Sequence, residues 1–132
     1  MLCPEPCHTL CSKCQEEDVM KDMNYKLKEV EGLIKELNKD YPEHIGPFLS
    51  LMHKAEGEGA LDTKTKELIS LALSVQTQCD WCIAFHTKRA LAAGATKDEI
   101  VEACFVAVVM GGGPALMYLQ LVLKALEDYK RK

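Results

Sequence analysis

The sequence predicts an all-α fold. Beyond the first twenty residues, apolar side chains recur at steps of three and four. No stretch alternates with a period of two, and no Asn-Gly or Asp-Gly pair offers a hairpin turn. Prolines, glycines and capping residues divide the pattern into segments of helical length. At 132 residues the chain makes one domain with a real core. It divides into a cysteine-rich segment, residues 1–21, and a helical domain, residues 22–132.

Six helices follow in order. From about Asp22 to Asp40, Leu27, Val30, Ile34, Leu37 and Tyr41 make one apolar face opposite lysines and glutamates. Pro42 ends that helix and opens the next at its first position. Ile45, Phe48, Leu49 and Met52 carry the second helix to Ala55, and Pro47 predicts a short or irregular element. Asp62 caps a third from Thr63 to about Gln76, so dense in Leu68, Ile69, Leu71, Ala72 and Val75 that it should be mostly buried. The fourth runs from about Asp80 to Ala93, stopped by Gly94. Thr96 and Glu99 form a capping box for the fifth, which reaches Val108. Gly111-Gly112-Gly113-Pro114 then breaks the chain by helix stopping and close packing. The sixth turns Leu116, Leu119, Val122, Leu123 and Leu126 inward.

Composition excludes several function classes. Sixteen Lys and Arg against 20 Asp and Glu leave a formal net charge of -4 without a basic stripe, so nucleic acid is not an expected partner. The longest apolar stretch, Ala103 to Met110 with its flanking glycines, is well short of the ~20 residues of a membrane span. Met1-Leu2-Cys3-Pro4 lacks the basic start and apolar run of a secretory signal, so a cytoplasmic location is expected. Seven cysteines in 132 residues are odd in number and sparser than in a disulfide scaffold, which favours redox or metal chemistry in a reducing compartment.

Cys79 and Cys82 stand three residues apart at a helix start, on one face and one turn from each other, placed to form a disulfide. The helix dipole and unpaired N–H groups favour a thiolate there. His86 extends the same face and can take a thiol proton near neutral pH. Glu67, on the densely apolar helix, needs a partner, and His86 is the natural one. A Glu–His–Cys line is an activated-nucleophile arrangement. Singly, each piece has a plainer reading: a solvated Glu, a structural His, or a Cys-x-x-Cys that is half of a metal site.

Glu67, eleven residues, Cys79-Asp80-Trp81-Cys82, three residues and His86 is similar to the signature of the alkylhydroperoxidase D-like (AhpD-like) branch of the carboxymuconolactone decarboxylase family. Asp62 to Leu68 and Gly94 to Ile100 resemble that family as well, and the likeness extends over about Tyr41 to Leu126. The resemblance implies a helical domain assembling into a ring-shaped homo-oligomer, a trimer or hexamer. It implies an antioxidant thiol peroxidase or disulfide oxidoreductase that needs no cofactor for its core reaction. Its substrate is a hydroperoxide or disulfide, and an external dithiol or protein reductant resets it. Carried over by position, Cys82 attacks and passes through a sulfenic acid, Cys79 resolves it as a disulfide, and Glu67 and His86 relay protons. The dipole alone favours Cys79, whereas one-turn spacing to His86 gives Cys82 the base. Trp81 replaces a histidine that often assists the relay. The family's lactone decarboxylases lack the cysteine pair, so that lyase activity is a further alternative only.

Cys3, Cys7, Cys11 and Cys14, with His8, fall within twelve residues. Four soft ligands suit a tetrahedral zinc or an iron–sulfur cluster. Behind the metal reading stand two others: an exposed tail, and an auxiliary dithiol passing electrons to Cys79 and Cys82. A metal-binding redox sensor or electron-transfer adaptor is therefore the alternative function. His44 and His53 read as surface histidines, and Cys104, beside Val101, Phe105 and Val108, as a small buried hydrophobe.

Overall fold

A computed structural model describes residues 22–130, so Cys3, Cys7, Cys11 and Cys14 lie outside the described residues. Five helices follow one another: α1 (Met23–Asp40), α2 (Pro42–Glu56), α3 (Thr63–Gln76), α4 (Asp80–Ala92) and α5 (Lys97–Lys130). Gly112 sits inside α5 at φ 67°, ψ -149°. The last element is therefore two rods meeting at a kink, at the predicted glycine break. Positive φ suits Gly112, and a Cβ on Gly111 would collide with the Gln76 side chain and stand 2.8 Å from Ala115 Cβ. By length and composition α5 resembles a membrane span, yet the kink divides it and Ile100, Cys104, Leu119 and Val122 are buried in the core.

The predicted helix signals act as local chemistry requires. Asp22 caps α1 by accepting from the Asn24 N–H at 2.9 Å, and Asp62 caps α3 by accepting from the Thr65 N–H at 2.7 Å. In the capping box the Thr96 N–H donates to Glu99 Oε2 at 2.7 Å and the Glu99 N–H donates to Thr96 Oγ1 at 3.2 Å. Helices α3, α4 and α5 pack together around Leu71, Val75, Ile83, Ala90, Ile100 and Cys104. The start of α1 closes over them: the N–H of fully buried Met23 donates to Asp128 Oδ2, and the Tyr129 hydroxyl donates to Ala84 O at 2.7 Å. Burial pushes the Tyr129 phenol well above its ordinary range.

Three expectations are corrected. Helix α2 continues through Pro47 to Glu56; Pro47 is exposed, so water can satisfy the carbonyl that its missing N–H leaves free. Helix α3 is not mostly buried: Leu71 and Val75 face inward, while Ile69 and Leu73 are 46% and 58% exposed. In the last rod Leu119, Val122 and Leu126 are buried, but Leu116 and Leu123 turn outward and small Ala115 and Ala125 take the inner positions. Close packing against α3 and α4 favours alanine there over leucine.

Candidate active site

The turn from α3 into α4 places the cysteines. Beyond α3 the Gln78 N–H donates to Val75 O and the Cys79 N–H to Ser74 O, with Gln78 at φ 57°. This is a left-handed helix stop whose special position carries glutamine instead of glycine. It delivers Cys79 as the N-cap of α4. Its sulfur accepts the Cys82 backbone N–H at 3.2 Å, so the helix start faces a sulfur, as the spacing predicts. Cys79 and Cys82 are joined in a disulfide, with Cα atoms 5.2 Å apart and both residues half-buried.

One turn on, His86 Nδ1 lies 2.9 Å from Glu67 Oε2, and Glu67 is fully buried. Its other oxygen accepts from Arg89 Nε at 2.6 Å. Arg89 also ion-pairs with Glu56 through Nη2 at 3.0 Å, and Glu56 Oε1 is 4.0 Å from His86 Nδ1. Two carboxylates against one guanidinium leave one negative charge in the cluster. An imidazolium at His86 would neutralise it. With Nδ1 hydrogen-bonded to Glu67, the imidazole's Nε2 is the nitrogen left to act as a base.

Glu67, Cys79, Cys82 and His86 are therefore brought together by α3 and α4. Two further members, Glu56 and Arg89, carried no sequence expectation. Arg89 continues the face of Cys82 and His86 at i+7 and i+3, a signal the sequence did contain. Glu56 comes from the end of α2, and no local pattern tells how α2 lies. Glu56, Glu67 and His86 gather three metal-ligating atoms within 4.8 Å of one another. Arg89 already supplies the cation those carboxylates need.

Trp81 is directed to α1. Its Nε1 donates to Glu29 Oε2 at 2.8 Å, Lys26 Nζ stands 5.0 Å from its ring centroid, and Lys26 pairs with Asp80 at 3.1 Å. A cavity of about 490 Å³ opens beside it, lined by Glu29, Val30, Leu33 and Ile34. Cys104 is fully buried, and burial pushes its thiol up to about 12, which makes it inert. His44 and His53 are exposed, as expected.

Residues 43–125 match the carboxymuconolactone decarboxylase family. An uncharacterised protein of Cupriavidus necator is 36% identical over 102 residues, 77% of this chain and 90% of that protein. A crystal structure of a carboxymuconolactone decarboxylase family protein from Legionella pneumophila, in its apo form, is similar at 40% identity. Its TM-score is 0.74, and the match covers 83% of this chain and 95% of that one. A family protein from Thermotoga maritima, for which involvement in an antioxidative response has been suggested, matches at 32% identity and TM-score 0.72, covering 80% and 91%. The all-α fold and the sequence both place the chain in one group: it belongs to the carboxymuconolactone decarboxylase family.

Proposed function

We propose that the protein is an AhpD-like thiol oxidoreductase that reduces hydroperoxides or disulfides through Cys79 and Cys82. One observation carries the reading: a Cys-x-x-Cys disulfide at a helix start, one turn from a histidine whose Nδ1 is held by a fully buried carboxylate. In the reduced enzyme His86 Nε2 takes the Cys82 proton. The thiolate attacks a peroxide oxygen, the O–O bond breaks, and the alkoxide leaves with a proton as alcohol, so that Cys82 becomes a sulfenic acid. Cys79 attacks that sulfur and hydroxide leaves as water. The product is the disulfide seen here. An external dithiol supplies the two electrons that reopen it. Glu67 orients the imidazole and balances its charge, and Arg89, braced by Glu56, holds Glu67 in place. Trp81, committed to Glu29 on α1, takes no proton.

The proposal includes a homo-oligomer. Helices α3 and α5 share an exposed cleft of about 370 Å³ containing no charged side chain, lined by Ile69, Leu73, Val106 and Met110 among others. So apolar a strip on a domain of this size fits a second copy of the chain.

The test is hydroperoxide consumption with dihydrolipoamide as reductant, in the native chain and in Cys82→Ser. Turnover in the native protein and its loss in the variant is the expected result. Turnover that persists when both Cys79 and Cys82 are serine would overturn the thiol mechanism in favour of lyase-type chemistry.

A further inference from the structure

Asp80 and Trp81 stand between the cysteines, and both are held from another helix. The Asp80 carboxylate pairs with Lys26 Nζ at 3.1 Å, and the Trp81 indole donates to Glu29 Oε2 at 2.8 Å. Lys26 Nζ also lies 5.0 Å from the Trp81 ring centroid, so one ammonium meets both intervening side chains. Lys26 and Glu29 belong to α1, which precedes the residues that match the family. That helix is firmly seated: Met23 and Leu27, before and after Lys26, are buried, and the Met23 N–H donates to Asp128 Oδ2 at 3.1 Å. The Lys26 side chain is 15% exposed and that of Asp80 32%, so the pair is partly shielded from solvent.

Asp80 follows Cys79 directly, which keeps its carboxylate within ~9 Å of the Cys79 sulfur, about one Debye length. A negative charge at that distance opposes a thiolate on the pair, and it opposes the anionic sulfur of a reductant attacking the disulfide. The start of α4 works the other way, through the Cys82 N–H aimed at the Cys79 sulfur at 3.2 Å. The other charged groups of the site are engaged: Glu56, Glu67, His86 and Arg89 with one another, and Glu29 with Trp81. Lys26 is the group that cancels Asp80.

We propose that Lys26 is a positioning residue of the redox pair. By neutralising Asp80 it leaves the helix start free to favour a thiolate, and so sets how fast the Cys79–Cys82 bond opens and how reactive its thiols then are. Opening takes two electrons and two protons from an external dithiol. A reductant thiolate attacks one sulfur and the other leaves as a thiolate that takes up a proton. The reductant's second thiol closes its own disulfide, and the first sulfur leaves and is protonated in turn. The inference rests on the reading of Cys79 and Cys82 as a cycling pair.

Lys26→Met, Asp80→Asn and the double variant test it in the full chain, at neutral pH and low salt. Two rates are followed by peptide mapping, which counts the amino-terminal thiols apart: opening of Cys79–Cys82 by dithiothreitol, and alkylation of reduced Cys79 and Cys82 by iodoacetamide. Lys26→Met should lower both rates about threefold to tenfold, Asp80→Asn should raise both about threefold, and the double variant should return close to native. Opposite signs in the single variants are the mark of charge. If Lys26 only fastened α1 to α4, losing either partner would shift the rates in the same direction and the double variant would match Lys26→Met. That pattern overturns the proposal, and so do rates that none of the variants changes. Should Lys26→Met fail to fold, Asp80→Asn decides alone, and rates at or below native overturn the proposal. No peroxide enters these measurements. A chain with the expected pattern that consumes no hydroperoxide keeps the role of Lys26 and loses the peroxide chemistry. A chain that turns over hydroperoxide with rates indifferent to Lys26 keeps the chemistry and loses the inference.

Discussion

Helix α3 has two faces built the reverse of what an isolated helix would have. Its inner face buries the carboxylate of Glu67 completely, while its outer face presents Ile69 and Leu73 about half exposed. Each face marks a different requirement. A charge is kept inside only where partners meet it, and Glu67 has His86 on one oxygen and Arg89 on the other. Apolar side chains stay outside where something else covers them, and on α3 they join Val106 and Met110 of α5 in a strip without charge. Under the proposed function the inner face serves the chemistry and the outer face the assembly.

Removing the inner charge should have the largest effect. Glu67→Ala leaves Arg89 and His86 without their shared carboxylate, and breaking a buried ionic partnership costs about 3–5 kcal/mol. Glu67→Gln keeps the shape and tests the chemistry alone. Its hydroperoxide turnover should fall about 10²–10⁴-fold, the range of a lost acid–base element, while thermal unfolding shows a folded protein. Native turnover in Glu67→Gln would leave the buried carboxylate with a structural role only.

The outer face predicts the opposite pattern. Leu73→Glu puts a charge where a partner copy would sit, so sedimentation should show a smaller assembly. The fold itself should change by no more than about 0.5 kcal/mol, because the side chain is already largely solvent-exposed within one chain. An assembly of unchanged size would remove this strip from the interface.

The difference between the faces also explains what the sequence made legible. Helix ends were readable because their signals are local: Asp62, Thr96, Glu99 and Gly94 act within a turn of where they stand. The line Glu67, Cys79, Cys82, His86 was readable because three members share one helix face and the fourth is a charge that needs a partner. Burial on α3 was misread, since Ile69 and Leu73 look like core residues to any rule that counts apolar density without knowing which face the neighbouring helices cover. Glu56 was not readable, because its place beside Arg89 depends on how α2 lies, which no spacing encodes.

A smaller contrast lies between the two ends from which α4 is hung. Both helix stops have the same hydrogen bonds: Cys79 N–H to Ser74 O after α3, and Ala95 N–H to Ala90 O after α4. Gly94 occupies the second at φ 89°, and Gln78 the first at φ 57°. A side chain in that region costs about 1–2 kcal/mol, and here the cost is placed next to Cys79. Gln78→Gly should raise the stability of the fold by about 1 kcal/mol, read as a shift of the denaturant midpoint with unchanged slope. Gly94→Ala should lower it by a similar amount. If Gln78→Gly also slows turnover, the strained turn helps to set the cysteine geometry; unchanged turnover makes it a local cost alone.

The smallest effects belong to the solvated charges at the starts of α3 and α5, which contrast with buried Glu67 about one turn into α3. Hydrogen bonds from the Thr65 side chain and backbone hold the Asp62 carboxyl below its ordinary value. The Lys64 hydrogen bond does the same for Glu99. Because their folded values are depressed, both contribute stability that is present above the ordinary carboxyl range and lost as pH falls through the folded values. Cys104 has the opposite sign. Its thiol is raised from 9.0 to about 12 by burial, so its contribution is complete below pH 9 and lost as pH rises toward 12. Melting temperature followed from pH 2 to 11 in Asp62→Asn should show a shallower acid limb than the native chain, with the alkaline limb unchanged because Cys104 is untouched. An identical acid limb would mean that the α3 cap is not coupled to the fold.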